Sequence, residues 1–232
     1  MAIERFFTTR SELTAALAAE IARRVSDAVA ERGAAGLVLT GGSTPAPLYQ
    51  ALTEIAAPWD QTVVTLSDER WVDAPDPASN EGMVRESLLK GAAASARLVG
   101  LKTAAVAPVQ ALNAVEAAVA LVPAPYDVVL LGMGADGHVA SLFPHAPELA
   151  AALDTDRPAR VCAVDRPEAA GAAARISLTL RALTDARWIA ILIEGEAKRD
   201  ALRRIADEDI ASAPINAILR QSDVPVEIWW AP

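Results

Sequence analysis

A glycine-rich segment carries the residues best suited to proton transfer in this chain. It reads GMGADGH at residues 132–138 and follows an apolar run that ends at Leu131. Imidazole can take a proton from water near neutral pH, and a neighbouring carboxylate can orient it. A lone histidine is more often structural, but a histidine beside glycine at a strand end favours catalysis. Asp136 and His138 are therefore the candidate catalytic residues.

The glycines of residues 132–137 also have the spacing of a dinucleotide-binding fingerprint. In that fold the glycines open a long helix, and a second strand ends in an acidic residue. Here Pro144 and Pro147 interrupt the segment, and Asp154 follows an alanine-rich stretch that does not resemble a strand. The sequence therefore argues against a nucleotide site.

A second glycine turn, TGGSTP at residues 40–45, follows the apolar run Leu37–Leu39. Glycines permit close approach of a ligand to the backbone, Ser43 or Thr44 can cap the helix that follows, and Pro45 suits its first turn. Free N–H groups would then face an anion. An ordinary tight turn before a capped helix is the alternative. The residues that could hold a phosphate are Gly41, Gly42, Ser43 and Thr44.

Two further strand ends carry basic residues. SDERW at residues 67–71 places Arg70, whose guanidinium matches phosphate oxygens, beside two carboxylates. Lys198 lies at the start of a predicted helix after the apolar run 189–193. A solvated charge run and an ordinary surface lysine are the corresponding alternatives.

Alternating strands and helices must position these residues. Thr9 and Glu12 form a capping box for a helix that runs at apolar spacing until Gly33. Further helices are predicted at 80–89, 109–121 and 196–205, and strands at 37–39, 62–66, 98–101, 127–131, 187–193 and 226–230. This alternation predicts an α/β fold with a Rossmann-like, mainly parallel sheet flanked by helices. Residues 161–164 and 175–180 predict some antiparallel edge strands, and residues 1–232 read as one domain.

Composition limits the classes of partner. The net charge is −9, from 21 Lys and Arg against 30 Asp and Glu, which argues against nucleic acid or an anionic membrane as ligand. Charges and prolines break every apolar run before membrane-spanning length. The single cysteine, Cys162, cannot form an internal disulfide, and the first thirty residues contain no apolar signal core. We therefore expect a cytoplasmic protein.

Four motifs in order resemble the 6-phosphogluconolactonase family: LTGGSTP at 39–45, SDERWV at 67–72, SNEG at 79–82 and LLGMGADGHVASLFP at 130–144. The resemblance covers essentially the whole chain and implies a fold shared with glucosamine-6-phosphate deaminases. It implies hydrolysis of 6-phospho-D-glucono-1,5-lactone to 6-phospho-D-gluconate, the second step of the oxidative pentose phosphate pathway. It also implies that neither a metal nor an organic cofactor takes part.

The resemblance implies a role for each matched residue. By this resemblance, His138 corresponds to the general base that activates the attacking water, and Asp136 corresponds to the neighbouring residue that orients the histidine. The turn at residues 41–44 would hold the phosphate, with Arg70 and Lys198 supplying charge. The remaining substrate-binding residues implied are Asp68, Asn80 and Arg175.

Two alternatives remain open at this point. Deaminases of the related family place an acidic residue five positions after the histidine, where this chain has Phe143. An apolar residue cannot assist ring opening or proton transfer, which favours the lactonase. A sugar-phosphate-sensing domain without activity is the second alternative, although the chain has no room for a helix-turn-helix module. We expect a small-molecule sugar-phosphate partner, a monomer or small homo-oligomer, and a mobile loop at 71–79.

Overall fold

Two β-sheets organise the part of the chain described by the computed structural model, residues 2–166 and 172–232. In chain order the strands are β1 (Ile3–Phe6), β2 (Ala35–Leu39), β3 (Thr62–Leu66), β4 (Asp68–Arg70), β5 (Arg97–Leu98), β6 (Val128–Leu131), β7 (Val161–Asp165), β8 (Ala174–Leu178), β9 (Ile189–Glu194) and β10 (Val226–Ala231). The α-helices are α1 (Arg10–Arg32), α2 (Ala46–Leu52), α3 (Asn80–Ser87), α4 (Pro108–Val119), α5 (Leu149–Leu153), α6 (Leu180–Thr184), α7 (Glu196–Ile205) and α8 (Ile215–Arg220).

The larger sheet is parallel throughout. Its strand order is β1-β10-β9-β6-β2-β3-β5. Every residue of the central strands β2 and β6 is buried, as expected for strands covered on both faces. The predicted α/β fold with a mainly parallel sheet is confirmed. Because the strands are parallel, their carboxyl ends meet at one edge of the sheet.

The antiparallel strands form a second sheet of their own, in the order β4-β8-β7. β7 and β8 were expected at the edge of the main sheet, and β4 was not predicted. Ser67 turns the chain out of the main sheet directly after β3. The Ser67 N–H donates to the Leu39 carbonyl oxygen of β2, and the Ser67 carbonyl oxygen accepts from the Leu178 N–H of β8, both at 2.8 Å. Ser67 thus joins the two sheets at the carboxyl edge.

Helix α1 has both of the ends that the sequence predicts. The Thr9 hydroxyl oxygen accepts from the Glu12 N–H at 3.1 Å, and the Glu12 carboxylate accepts from the Thr9 N–H at 3.2 Å. Gly33 ends the helix with a φ of 79°, a conformation that favours glycine. The capping box is therefore confirmed.

Several short elements differ from the sequence-based expectation. The strand predicted at 98–101 is reduced to β5, and β1, α5, α6 and α8 were not predicted. The three helices contain five or six residues, too few to display a helical period. All four residues of β1 are exposed, so that strand lacks the alternation of a half-buried strand. Among the described residues, no helix combines the length and apolar character needed to cross a membrane.

Candidate active site

A cleft of about 210 Å³ opens at the carboxyl edge of the large sheet. It lies beyond the ends of β2, β6 and β9, where a parallel sheet is expected to bind its ligands. Eight of the eleven residues predicted for the site line it: Gly41, Thr44, Asp68, Arg70, Asn80, His138, Arg175 and Lys198. The topology therefore gathers residues that are widely separated in the sequence.

The other three predicted residues lie beside the cleft. Asp136 contacts His138 from outside the lining. Gly42 and Ser43 are exposed, and Ser43 faces an adjoining depression that Arg10 and Glu194 also line. The turn at residues 41–44 thus presents Gly41 and Thr44 to the cleft, whereas Gly42 and Ser43 face outward.

His138 and Asp136 form a hydrogen-bonded pair at the mouth of the cleft. His138 Nδ1 lies 2.6 Å from Asp136 Oδ1, and the His138 backbone N–H donates to the same oxygen at 3.2 Å. The hydrogen bond from His138 lowers the pKa of Asp136 to about 2, against opposing desolvation. The carboxylate is therefore charged near neutral pH, and it leaves His138 Nε2 as the free ring nitrogen.

The glycine at position 134 is required by this pair. A Cβ atom there would lie 2.1 Å from His138 Nδ1 and 2.4 Å from Asp136 Oδ1, so a side chain at this position would displace a member of the pair. The Gly134 N–H donates to the His138 carbonyl oxygen at 2.9 Å, which closes the loop. Glycine in this segment therefore makes room for neighbouring side chains and not for a bound nucleotide.

The turn after β2 differs from its prediction in one respect. Helix α2 begins at Ala46 with Pro45 in the cap position, so the prediction that Ser43 or Thr44 caps the helix is wrong. A turn closed by the Ala46 N–H and the Ser43 carbonyl oxygen, 3.4 Å apart, precedes the helix and shifts both hydroxyls out of the cap position. Among the described residues, no acceptor pairs with the backbone N–H of Gly42, Ser43 or Thr44.

The carboxylates of β4 are buried, which excludes a solvated charge run. Asp68 is 6% exposed and Glu69 is fully buried. Asp68 Oδ2 accepts from the Ser141 hydroxyl at 2.6 Å, and its backbone carbonyl oxygen accepts from Asn80 Nδ2 at 2.8 Å. Asp68 therefore ties Ser141, which follows the glycine-rich segment, and α3 to the small sheet.

Three basic side chains converge on the cleft. Lys198 Nζ donates to the Met133 carbonyl oxygen at 2.7 Å, and Arg70 Nη1 donates to the Ala78 carbonyl oxygen at 2.6 Å. Arg175 Nη1 lies 3.9 Å from Asp68 Oδ2, and burial lowers the pKa of Arg175 from its usual value while Asp68 opposes that effect. Guanidinium groups keep their charge in proteins. The cleft can therefore attract an anion although the whole chain is acidic.

Phe143, five residues after His138, packs against the imidazole. It is 5% exposed, and its ring centroid lies 4.6 Å from that of His138. The Arg175 guanidinium carbon lies 5.4 Å from the same ring. The histidine is thus supported by an aromatic face on one side and by Asp136 at Nδ1.

Two residues beside the site were not assigned a role from the sequence. Ser141 is 1% exposed and donates to Asp68, which lies 73 residues away, so no local sequence pattern signals the contact. Glu69 accepts hydrogen bonds from residues 70 and 79–81. The only sequence signal for these contacts is that charged and capping residues occur at both 67–70 and 79–82.

Comparison with known proteins agrees with this site. A family model described as glucosamine-6-phosphate isomerases/6-phosphogluconolactonase matches residues 8–230. A 6-phosphogluconolactonase of Mesorhizobium japonicum is 43% identical, covering 97% of this chain and 94% of the relative. One of Caulobacter vibrioides is also 43% identical, covering 97% and 95%.

A solved structure extends the likeness to the fold. The crystal structure of a 6-phosphogluconolactonase from Shewanella baltica has a TM-score of 0.96 and 37% identity, covering 100% of this chain and 98% of that chain. Both the matched length and the identity are high enough to show membership. The chain belongs to the family of glucosamine-6-phosphate isomerases and 6-phosphogluconolactonases.

Proposed function

We propose that this protein hydrolyses 6-phospho-D-glucono-1,5-lactone to 6-phospho-D-gluconate. The observation that carries the proposal is the His138–Asp136 pair at a basic cleft, with apolar Phe143 packed against the imidazole. The names of the relatives, which are 6-phosphogluconolactonases over nearly their full length, support the same reaction.

In this mechanism His138 acts as a general base. Nδ1 donates a hydrogen bond to Asp136, so Nε2 carries the lone pair that takes a proton from water. The water oxygen attacks the lactone carbonyl carbon as Nε2 takes the proton. The ring C–O bond then breaks, and the ring oxygen receives that proton from the His138 imidazolium to become a hydroxyl. Asp136 stabilises the imidazolium that forms. A positioned base of this kind contributes about 10²–10⁴-fold in rate.

The phosphate group would bind at the basic side of the cleft. Arg70 and Lys198 supply positive charge, and the turn at 41–44 supplies backbone N–H groups. Asp68, Asn80 and Arg175 would contact the sugar. Binding the phosphate fixes the carbonyl relative to the attacking water, which converts binding energy into orientation.

A pH-stat assay with freshly prepared lactone tests the proposal. The wild type should release acid well above the spontaneous rate, and His138→Ala should lose at least about 10²-fold in kcat. His145→Asn is the matched control, because His145 is exposed outside the cleft and its φ of 56° is one that asparagine tolerates. Wild-type acid release no faster than the spontaneous reaction would refute the lactonase.

Deaminase activity is the alternative outcome of the same experiment. Ammonia released from glucosamine 6-phosphate would show that ring opening does not need an acidic residue at position 143. The packing of Phe143 against His138 opposes that outcome, because it leaves no carboxylate five residues after the histidine.

We also propose a single domain over residues 1–232, present in the cytoplasm as a monomer or small homo-oligomer. The pairing of β1 with β10 in one sheet supports one folding unit, and the single cysteine suits a reducing compartment. Coincident unfolding curves from circular dichroism and tryptophan fluorescence would support one unit. Light scattering would give the oligomeric state.

A further inference from the structure

Glu69 is a buried carboxylate that the proposed reaction does not use. It is fully buried, and its two oxygens accept four hydrogen bonds. Oε1 accepts from the Arg70 and Asn80 backbone N–H groups at 2.7 and 2.8 Å. Oε2 accepts from the Ser79 hydroxyl at 3.0 Å and from the Glu81 N–H at 2.6 Å.

The division between the two oxygens is informative. Oε1 accepts from Arg70 of β4 and from Asn80, the first residue of α3, both of which line the cleft, and Oε2 accepts from the cap residue Ser79 and from Glu81 in the first turn. Ser79 in turn caps α3, because its hydroxyl oxygen accepts from the Gly82 N–H at 3.0 Å. One carboxylate thus fixes β4 relative to the start of α3, with Arg70 and Asn80 on opposite sides of the junction.

The clearance around Asn80 leaves little room for movement. A Cβ atom on Gly41 would lie 1.8 Å from Asn80 Oδ1, so the amide already lies against the turn after β2. Asn80 Nδ2 also donates to the Asp68 carbonyl oxygen. A shift of α3 would therefore displace Asn80 from both the turn and β4.

We propose that Glu69 is a positioning residue that sets the affinity for the phosphorylated substrate by fixing Arg70 and Asn80 at the cleft. The inference rests on the proposed function, since it assigns those two residues to substrate binding. Glu69 has no exposed surface and therefore does not touch the substrate itself. Its effect is transmitted through the backbone of its neighbours.

Glu69→Gln tests this role because it keeps the size of the side chain. A glutamine amide has one oxygen, so one pair of donors must face an NH₂ group that cannot accept. We expect KM for the lactone to rise at least about tenfold, while kcat falls by less than about threefold. The inhibition constant of 6-phosphogluconate should rise in parallel with KM.

Glu116→Gln is the matched control. The Glu116 carboxylate accepts the Arg160 and Val161 backbone N–H groups at 2.9 and 3.2 Å, away from the cleft. This variant should lose stability in the same manner as Glu69→Gln but keep the wild-type KM. Equal KM changes in the two variants, or none in Glu69→Gln, would overturn the proposal.

A double-mutant cycle separates positioning from a general loss of stability. In an Arg70→Ala background the effect of Glu69→Gln on KM should shrink, because one of the positioned residues is already gone. A fully additive effect would contradict the proposal. If Glu69→Gln does not fold, Ser79→Ala removes one donor to Oε2 and should raise KM by a smaller factor, and an unchanged KM would overturn the idea.

The two proposals fail in different ways. A wild type without lactonase activity would refute the proposed function. An active wild type whose Glu69→Gln variant keeps its KM would refute only the role of Glu69.

Discussion

Replacing Asp136 by asparagine removes one charge from the catalytic pair while keeping its geometry. Both contacts to His138 use Asp136 Oδ1, at 2.6 Å from Nδ1 and 3.2 Å from the backbone nitrogen. An asparagine oxygen in that position can accept both hydrogen bonds. The substitution therefore tests the electrostatic role of the carboxylate separately from its role in orienting the ring.

The expected magnitude follows from the pKa of Asp136. The pair lowers that pKa from 3.8 to about 2. At about 1.4 kcal/mol per pH unit this corresponds to about 2.5 kcal/mol before screening. Because the Asp136 side chain is 52% exposed, solvent screening reduces the interaction to about 1 kcal/mol. An interaction of about 1 kcal/mol that is made only in the transition state corresponds to about a fivefold change in rate.

The sign of the effect is fixed by charge. The imidazole becomes positively charged as it takes a proton from water, and a neutral asparagine stabilises that charge less than a carboxylate does. At a fixed pH near neutral, kcat should therefore fall about fivefold. Stability linked to Asp136 is present above pH 3.8 and is lost as pH falls through about 2, outside an assay window above pH 5.

The assay measures lactone hydrolysis in excess of the spontaneous rate at a fixed pH near neutral. Asp209→Asn is a suitable control, because that carboxylate accepts the Ala211 and Ser212 N–H groups at 2.9 and 2.8 Å but does not line the cleft. Its kcat should match that of the wild type. An Asp136→Asn variant that keeps the wild-type kcat would refute the reasoning.

Three further substitutions test other parts of the structure. Ser141→Ala removes the 2.6 Å hydrogen bond to Asp68. The free energy of unfolding in urea should fall by about 1–3 kcal/mol and kcat should also fall, and unchanged stability would contradict this prediction. Gly134→Ala places a Cβ atom 2.1 Å from the His138 ring, so its rate should approach that of His138→Ala, and near-wild-type turnover would show that the loop can shift. Thr9→Ala breaks the capping box of α1 and should cost about 1 kcal/mol with KM unchanged; a change in KM would show coupling to the cleft.

The sequence predicts features that depend on local chemistry. The capping box of Thr9 and Glu12 satisfies N–H groups within one turn, so four residues determine the start of α1. The cleft is predictable for a related reason. Its polar residues follow apolar runs directly, and parallel pairing then brings the ends of those runs together.

Features that depend on distant partners are not predictable in this way. Glu69 in isolation reads as part of an exposed charge cluster, and its burial depends on donors at residues 79–81. The buried Ser141 hydroxyl donates a hydrogen bond to Asp68, which lies 73 residues earlier in the sequence. The predicted cap of α2 was wrong for a third reason. A turn before the helix moves the Ser43 and Thr44 hydroxyls out of the cap position, and sequence patterns do not locate a helix start to within one or two residues.

The parallel pairing of β1 with β10 has a consequence for synthesis of the protein on the ribosome. Ile3 pairs with Glu227 and Phe6 with Trp230, so the ribosome adds 224 residues between a residue of β1 and its partner in β10. At typical elongation rates roughly 10 to 45 s separate the two. During that interval Ile3 and Phe6, each more than half exposed even in the folded chain, lack the strand that pairs with them. This edge of the sheet therefore cannot close before β10 has been made, and contacts between residues so far apart in sequence predict slow closure.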